Sequence, residues 1–216
     1  MFDGAPPDLG GLPPNFAETI GAAPGWEHDV SAYRAALAEA NQHMNLVGAS
    51  TLGQFWRRHF VDSAQLLLVS PRASVWADLG SGAGLPGLVI AILLKGRPGA
   101  KVHLIESMAK RCRFLSAVVQ ALDLPAEVHN ARAETLALKV DVVTARACAP
   151  LDRLLGYAQP FLSRGATGVF LKGADVDAEI MEARKQWRFK AACRNSLSDP
   201  RGRLLTIEEL SRAGRR

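Results

Sequence analysis

The residues whose types and spacing best suit chemistry lie in one segment, Asp78-Leu79-Gly80-Ser81-Gly82-Ala83-Gly84-Leu85-Pro86-Gly87. A short apolar run leads into Asp78, glycines then alternate, and an apolar helical pattern follows Pro86. This order predicts a buried strand, a tight turn and the N-terminus of a helix. Because only glycine lets a backbone approach a ligand so closely, the segment indicates a site for an adenosine-containing cofactor.

Asp78 favours one class of cofactor over another. The glycine spacing by itself also satisfies the dinucleotide-binding pattern. A carboxylate at this place would repel a pyrophosphate, whereas it would attract the sulfonium and the ammonium of S-adenosylmethionine. The chain has two tyrosines, Tyr33 and Tyr157, and neither begins the Tyr-x-x-x-Lys pair of one class of nicotinamide enzyme. We therefore predict a methyl-donor site, with a nicotinamide oxidoreductase as an alternative.

The elements that must position this segment alternate between strands and helices. The predicted strands are Val75–Leu79, Val102–Ile105, Glu127–His129, Val140–Ala145 and Thr167–Leu171. The predicted helices between them are Pro86–Leu94, Lys110–Leu122, Leu151–Phe161 and Val176–Trp187, and Trp187–Leu197 and Arg203–Ile207 resemble a closing antiparallel pair. This pattern predicts an α/β fold, a mostly parallel sheet with helices on both faces. From this pattern together with the methyl-donor turn at Asp78, we expect a Rossmann-like S-adenosylmethionine-dependent methyltransferase fold.

The chain divides into three predicted regions. Residues 1–25 are rich in Pro and Gly and are expected to be a flexible lead-in. Residues 26–70 are expected to form an N-terminal helical extension packed on the core, with one helix over Trp26–Met44 and a second over Phe55–Leu68. Residues 71–216 are the expected methyltransferase core, so that residues 26–216 form a single globular unit.

The ends of the later strands carry the other candidate site residues, because open parallel sheets bind ligands at the carboxyl ends of their strands. Glu106 ends the second strand and is placed to accept the ribose hydroxyls. The backbone of Ala133 and the carboxylate of Glu134 are candidates for reading an adenine edge. Arg146 is expected to face the cofactor carboxylate, a substrate phosphate or an internal acid, since an unpaired charge there is costly. Lys172 puts a second cation on the same rim.

Composition narrows the class of protein further. The three cysteines, Cys112, Cys148 and Cys193, are widely spaced and predict buried apolar residues in a reducing cytoplasm, with no disulfide framework and no metal site. No apolar run approaches the roughly 20 residues of a membrane span, and no signal peptide is expected. Residues 181–216 hold ten basic residues against four acids, whereas residues 1–50 hold one against six. A basic region of this kind favours a polyanionic partner, although it could equally be a solvated surface.

Several motifs together give the sequence a family resemblance. They are Asn45-Leu46, Arg58-His59-Phe60-Val61-Asp62-Ser63, the segment Asp78–Gly87, Thr144-Ala145-Arg146-Ala147 and Leu171-Lys172-Gly173. From about Trp26 to Ile207 the chain resembles the RsmG (GidB) family, which methylates N7 of a guanosine in bacterial 16S ribosomal RNA with S-adenosylmethionine. It departs from that family in its lead-in and in having Val47-Gly48 where a Thr is common.

The resemblance implies a set of cofactor contacts and a partner. The implied cofactor-side residues are Gly80, Leu85, Ala133, Glu134 and Arg146, with Glu106 and Ser107 on the ribose side. The turn itself adds Asp78, Gly82 and Gly84 to the candidate cofactor contacts. The implied partner is 16S rRNA in the small ribosomal subunit, and no obligate protein partner is inferred. Candidate phosphate contacts are Arg184, Lys185, Arg188, Lys190 and Arg194 near the C-terminus and Arg57 and Arg58 in the second helix.

The implied reaction needs little acid–base chemistry. Guanine N7 has an available lone pair and no proton, so no general base is predicted and no catalytic residue is named. Arg146, His59, Arg58 and Lys172 are candidate positioning groups, and His59 could equally be a structural hydrogen-bond partner of Asp62. A methyltransferase acting on another RNA, a protein or a small molecule, and a non-catalytic RNA-binding module, are the remaining alternatives.

Overall fold

A computed structural model describes Leu9 and residues 11–214 of the chain. Its strands are β1 (Val75–Leu79), β2 (Lys101–Glu106), β3 (Ala126–Asn130), β4 (Val142–Arg146), β5 (Thr167–Lys172), β6 (Trp187–Asn195) and β7 (Arg203–Arg212). They form one sheet in the order β3-β2-β1-β4-β5-β7-β6. Strands β1 to β5 pair in parallel, and β7 pairs antiparallel with β5 and β6. The predicted mostly parallel α/β sheet with a closing antiparallel pair is confirmed.

Helices connect these strands and precede them. They are α1 (Phe16–Thr19), α2 (Trp26–Met44), α3 (Ala49–Leu52), α4 (Asp62–Val69), α5 (Gly87–Leu93), α6 (Ala109–Ala121), α7 (Leu151–Leu162) and α8 (Val176–Ala183). A π-helical turn, Trp56–Val61, leads into α4, and a 3-10 turn, Ala133–Thr135, follows β3. None of the described helices is both long enough and apolar enough to cross a membrane.

Two apolar cores cover the two faces of the sheet. Every residue of α5 is buried, and it lies in one core with Val102 and Leu104 of β2. On the other face, Leu155 and Phe161 of α7 pack with Ile105 of β2. The alternation of side chains along each strand therefore supplies both cores, as expected for a sheet wrapped on both faces.

Several predicted boundaries differ from the structure. The helix beginning at Val176 ends at Ala183, and Trp187 instead begins β6. Trp187 is buried and its Nε1 donates to the carbonyl of Asp152 at 3.0 Å, a tertiary contact that periodicity does not reveal. Strand β7 continues past Ile207 to Arg212, and β4 begins at Val142. The second predicted helix, over Phe55–Leu68, is divided between the π-helical turn and α4, and the short helix α3 precedes it.

The N-terminal helices pack directly against the region of the glycine turn. Trp26 of α2 stacks on Phe60 with ring centroids 5.1 Å apart. The buried hydroxyl of Tyr33 donates to the carbonyl of Ala83 at 2.8 Å, and burial raises the pKa of this hydroxyl well above its ordinary value. Helix α2 thus fixes the backbone of the turn that follows β1.

Part of the predicted flexible lead-in is folded. Phe16 and Ile20, four residues apart on and just after α1, are both buried in the core, and Arg97 donates to the carbonyl of Ile20. The apolar pair at helical spacing explains the difference, since it gives this short segment a face to bury. Residues 1–8 and 10 of the lead-in lie outside the described residues.

Candidate active site

The turn after β1 depends on left-handed glycines with different surroundings. Gly80 and Gly84 have φ of +66° and +90°, and Gly82 has φ of +54°. A Cβ on Gly84 would meet Leu88 Cγ at 2.6 Å and one on Gly80 would meet Cys148 Sγ at 2.8 Å, whereas one on Gly82 would meet only Gly80 O at 3.6 Å. A glycine is therefore needed at position 84 to avoid a clash with Leu88 and at position 80 to avoid a clash with Cys148. At position 82 it is needed because of the positive φ.

Asp78 lies buried under this turn. Its Oδ2 accepts a hydrogen bond from the backbone N–H of Gly87 at 3.1 Å, at the start of α5. Burial raises the pKa of Asp78 to about 7, although the Gly87 N–H acts in the opposite direction. Its Oδ1 has no hydrogen-bond partner among the described residues. The observed role of Asp78 is to hold the turn against the helix, and its contact with a sulfonium or ammonium stays a prediction.

A cavity of about 250 Å³ opens at the carboxyl ends of β1 to β3. Five predicted cofactor residues line it: Gly80, Glu106, Ser107, Ala133 and Glu134. Cys148 and Tyr157 also line this cavity and were not predicted. Cys148 follows β4 and Tyr157 lies on α7, so neither belongs to a motif that predicted the site. The remaining predicted cofactor residues, which are Asp78, Gly82, Gly84, Leu85 and Arg146, do not line this cavity.

The side chain of Leu85 is buried, and two of the three cysteines differ from their predicted environments. Leu85 is buried in the apolar core on the α5 face, so its side chain packs in the protein interior. Cys112 is buried as predicted, but Cys148 is half-buried at the cavity and Cys193 is exposed on the edge strand β6. The prediction of three buried cysteines is therefore wrong for Cys148 and Cys193. The sequence pattern does not distinguish a small residue in the core from one at a strand edge or a cavity wall.

Glu106 connects the cavity to the glycine turn. It is 4% exposed, its Oε2 accepts from the backbone N–H of Gly82 at 3.1 Å, and its Oε1 accepts from that of Met108 at 2.8 Å. Each carboxylate oxygen can accept a second hydrogen bond. Glu106 can therefore hold the turn and still accept ribose hydroxyls.

A second cavity, of about 500 Å³, lies beside the first at the ends of β4 and β5. Predicted residues Arg58, Arg146 and Lys172 line it, together with Arg201 and Arg203. The acidic residues of its lining are Asp62, Glu179 and Asp199, so its walls carry an excess of positive charge. Such a cavity suits a polyanionic ligand.

The guanidinium of Arg146 finds its hydrogen-bond and ion-pair partners within the protein. Its Nη1 lies 3.0 Å from Nδ1 of His59, 3.1 Å from the carbonyl of Arg58 and 3.5 Å from Oδ2 of Asp62. Of the three predicted partners for Arg146, the structure supplies the internal acid. The guanidinium is a donor in every contact, so Nδ1 of His59 accepts.

His59 is held between Arg146 and the N-terminal helices. Its Nε2 lies 2.9 Å from Oγ1 of Thr51, and the residue is buried. Burial, then the cations of Arg146 and Arg58, lower the pKa of His59 to about 4. The predicted hydrogen bond between His59 and Asp62 is wrong: Asp62 Oδ1 instead accepts from Ser198 Oγ at 2.6 Å.

The π-helical turn explains how these groups converge. One extra residue in the turn lets Arg58 present its carbonyl to Arg146 while His59 points at the same guanidinium. Ser63 Oγ donates to the carbonyl of His59 at 2.7 Å and fixes the exit of the turn. π-helical turns of this kind are frequent at functional sites. The Arg-His-x-x-Asp-Ser motif is the sequence signal of this arrangement.

Lys172 forms an internal ion pair. Its Nζ lies 2.6 Å from Glu179 Oε2, and its side chain is 9% exposed. The same Glu179 oxygen accepts from the backbone N–H of Leu151 at 2.7 Å, at the start of α7. Arg201, which was not predicted as a site residue, is exposed on the β6–β7 loop and lines the same cavity. Arg201 is thus better placed than Lys172 to contact a phosphate.

Comparison with known proteins identifies the family. The family model described as GidB, rRNA small subunit methyltransferase G, matches residues 27–203. The chain belongs to the rRNA small subunit methyltransferase G family. It is 58% identical to Ribosomal RNA small subunit methyltransferase G of Caulobacter vibrioides over 197 residues, 91% of each chain. It is 44% identical to the protein of that name from Bradyrhizobium sp. strain ORS 278, over 86% of each chain.

Solved structures support the fold of this family member. An O-methyltransferase, TomG from Streptomyces achromogenes in complex with SAM, matches with a TM-score of 0.54 and 13% identity, over 82% of this chain and 89% of that chain. A point mutant of MtNAS matches with a TM-score of 0.57 and 15% identity, over 84% of this chain and 73% of that chain. At these identities the likeness concerns architecture, and it confirms the Rossmann-like prediction. The family match confirms the RsmG (GidB) resemblance.

Proposed function

We propose that the chain transfers a methyl group from S-adenosylmethionine to N7 of a guanosine in the 16S rRNA of the small ribosomal subunit. The observation that carries this proposal is the pair of adjoining cavities at the carboxyl edge of the sheet. Ala147 lines the basic cavity and the next residue, Cys148, lines the smaller one. A cofactor on one side of this segment therefore adjoins a polyanionic substrate on the other.

The smaller cavity suits the adenosine half of the cofactor. The buried carboxylate of Glu106 is placed for the ribose hydroxyls, with Ser107 beside it. The Ala133 backbone and the Glu134 carboxylate, in the 3-10 turn, are placed to read the adenine edge. At Gly80 a Cβ would crowd Cys148 Sγ, so a glycine is needed there for Cys148 to line the cavity. When bound, S-adenosylmethionine supplies a methyl group activated by its sulfonium.

The chain has to align the acceptor and exclude water. Guanine N7 attacks through a lone pair that carries no proton, so no residue must act as a general base. Orientation of the reacting atoms supplies most of such an acceleration. Arg146, held by His59 and Asp62, forms a rigid wall of the substrate cavity and is assigned a positioning role. Arg58 and Arg201 are assigned to substrate phosphates.

The surface charge is consistent with an RNA substrate. The candidate cations form what we call the β6 basic patch: Arg184, Lys185, Arg188, Lys190 and Arg194. All five are exposed, and Arg188, Lys190 and Arg194 lie on the edge strand β6. Phosphate contacts dominate the affinity of proteins for nucleic acids. The proposed place of action is the cytoplasm, on an assembling or assembled small subunit.

The proposal is tested by methyl transfer to small ribosomal subunits that lack the modification. The subunits are incubated with the purified chain and S-adenosylmethionine labelled in its methyl group, and the 16S rRNA is digested and analysed by mass spectrometry. The expected product is N7-methylguanosine at a single loop position, because loop bases can be presented to a pocket whereas the deep major groove of an RNA helix hides N7. Label on an exocyclic amine or a ribose hydroxyl would overturn the proposal.

A further inference from the structure

A cluster of two histidines and a carboxylate lies on β2 and β3. His103 and Glu127 stand opposite each other in the parallel pairing, and His129 follows two residues later on β3, on the same face. One ligand atom from each of the three residues lies within 4.8 Å of the other two. The proposed methyl transfer uses none of these residues. No metal site was predicted from the sequence, because these residues come together only when β2 and β3 pair. Their spacing in the sequence matches no metal-binding motif.

The atoms that face each other are all potential metal ligands. Nδ1 of His103 lies 2.9 Å from Nε2 of His129, and the two oxygens of Glu127 lie 3.9 Å and 3.8 Å from these nitrogens. A tetrahedral ion with bonds of about 2.0–2.1 Å places its neighbouring ligand atoms roughly 3.3 Å apart. The nitrogens lie somewhat closer together than this value, and each carboxylate oxygen lies somewhat farther than this value from the nitrogen it faces. Small side-chain rotations would bring one oxygen and both nitrogens to one ion.

Burial gives the cluster a shielded side and an open side. The His103 and His129 side chains are 8% and 16% exposed, whereas the Glu127 side chain is 49% exposed. The imidazoles are thus held by the sheet, and an ion can enter past the carboxylate. Between β3 and β4 the only helical element is the 3-10 turn Ala133–Thr135. Residues 131–141 therefore provide no crossover helix to cover this edge of the sheet.

We propose that His103, His129 and Glu127 form a binding site for a first-row transition-metal dication of the zinc class. Two imidazoles and one carboxylate suit Zn²⁺, Co²⁺ or Ni²⁺ and do not suit Mg²⁺ or Ca²⁺, which prefer all-oxygen ligands. The ion would clamp the edge strand β3 to β2. At the end of the same strand, Asn130 Nδ2 donates to the carbonyl of Ser107 at 2.9 Å, so the clamp would also steady the border of the smaller cavity.

Two observed contacts compete with the ion, and the first is the hydrogen bond between the two imidazole nitrogens, which binding would replace. The second involves the carboxylate. Lys101 Nζ lies 2.6 Å from Glu127 Oε2, the oxygen that faces His103. Removing the ammonium would free this oxygen and would also remove a nearby positive charge. This gives the proposal a directional test, since the loss of a ligand and the loss of the competitor should have opposite effects on metal affinity.

The test is calorimetric titration of the full chain, first freed of metal with a chelator, with ZnCl2. The wild type is expected to bind one Zn²⁺ with a rise in its thermal midpoint, and to bind no Mg²⁺ at the same concentration. His129→Ala and Glu127→Gln are each expected to weaken Zn²⁺ binding by at least about tenfold and to lose the thermal shift. Lys101→Met is expected to bind at least as tightly as the wild type.

Two variants serve as matched controls. His43→Ala removes an exposed histidine on α2, and Cys193→Ala removes the exposed thiol, so both should bind Zn²⁺ as the wild type does. Glu127 is half-exposed, so Glu127→Gln keeps the test valid even if His129→Ala fails to fold. Wild-type affinity in both His129→Ala and Glu127→Gln, or no Zn²⁺ binding by the wild type, would overturn the proposal. Weaker binding by Lys101→Met than by the wild type would contradict it too.

Discussion

The carboxylate of Glu106 accepts a hydrogen bond from the backbone N–H of Gly82 at 3.1 Å, joining the end of β2 to the turn after β1. Both residues were predicted to touch the cofactor, and the structure shows that they also touch each other. The other oxygen of Glu106 accepts from the N–H of Met108. Glu106 therefore aligns two backbone segments at the cavity before any ligand arrives, which lowers the ordering cost of binding.

Glu106→Gln tests this double role. An amide has one oxygen, so it can accept from Gly82 or from Met108 but must turn its NH2 toward the other donor. We expect the free energy of unfolding to fall by about 1–3 kcal/mol and the affinity for S-adenosylhomocysteine to fall as well. Urea denaturation and calorimetry measure the two effects. Unchanged stability together with unchanged affinity would show that neither hydrogen bond matters.

Gly84→Ala and Gly82→Ala should differ in their effect on stability. Both place a side chain at positive φ, but only the Gly84 variant drives Cβ to 2.6 Å from Leu88 Cγ. We expect Gly82→Ala to cost about 1–2 kcal/mol from the left-handed backbone alone. Gly84→Ala adds an overpacking cost of about 1–3 kcal/mol. Chemical denaturation of the two variants checks the order, and equal losses would mean that Leu88 moves aside without cost.

Asp78→Asn should change how stability depends on pH. The pKa of Asp78 is raised to about 7 by burial, above its value of about 3.9 in the unfolded chain. The folded state then binds more protons than the unfolded state between these values, so the stabilising contribution of Asp78 is complete below pH 4 and is lost as pH rises to 7. Relative to Asp78→Asn, the wild type should lose on the order of 2–4 kcal/mol between about pH 4 and pH 8.

The measurement is urea denaturation of both proteins across that pH range. The difference between the two free energies of unfolding is the quantity to follow, because it cancels the titration of all other groups. A difference that stays constant with pH would show that Asp78 is ionised in the folded protein throughout.

Much of the fold could be predicted because its signals are local. Strand β1 has its predicted bounds, since an apolar run between turn residues is enough to mark a buried strand. The gathering of Glu106, Ala133 and Glu134 at one cavity was also predictable, because parallel strands bring their carboxyl ends to one edge of the sheet.

The contacts that were missed join distant parts of the chain. Arg146 and His59 are 87 residues apart, and Asp62 and Ser198 are 136 apart. Their contact depends on the π-helical turn and on the antiparallel placement of β7, and neither leaves a periodic pattern. Tyr157 was likewise missed, since only the packing of α7 brings it to the smaller cavity.

Arg146→Ala should raise the pKa of His59. Burial is the larger cause of its low pKa, about 4, and the guanidinium 3.0 Å away is the next. Without the cation, the pKa should move toward its ordinary value of about 6.5 but stay below it. NMR titration of the ring measures the shift, with Lys172→Met as a control that leaves the Arg146 contact in place. No change in Arg146→Ala would mean that burial and Arg58 set the pKa of His59 without Arg146.

The same histidine predicts a loss of stability in acid. A group whose pKa is lowered by folding binds fewer protons in the folded state than in the unfolded state. The contribution of His59 to stability is therefore present above about pH 6.5 and is lost as pH falls toward 4. His59→Gln, which cannot be protonated, should show a shallower decline over this range in urea denaturation.

Neutralising the β6 basic patch should flatten the salt dependence of RNA binding. Within this patch Lys190 and Lys185 already pair with Glu209 and Glu182, at 2.5 and 2.6 Å, whereas Arg188 and Arg194 have no ion-pair partner among the residues that the structure describes. Each lost phosphate contact lowers the slope of log affinity against log salt by about one unit. Arg188→Gln with Arg194→Gln should therefore lower it by about two units.

The matched control is Lys185→Gln with Lys190→Gln, which removes the same charge from cations that are already paired and should lower the slope less. Binding of small subunits is measured by filter retention at several salt concentrations, and S-adenosylhomocysteine affinity is measured in parallel. Cofactor affinity should be unchanged in both variants, because the patch lies apart from the residues that line the smaller cavity. An unchanged salt slope in the arginine variant would mean that these charges form a solvated surface and that RNA is guided by the cations of the larger cavity instead.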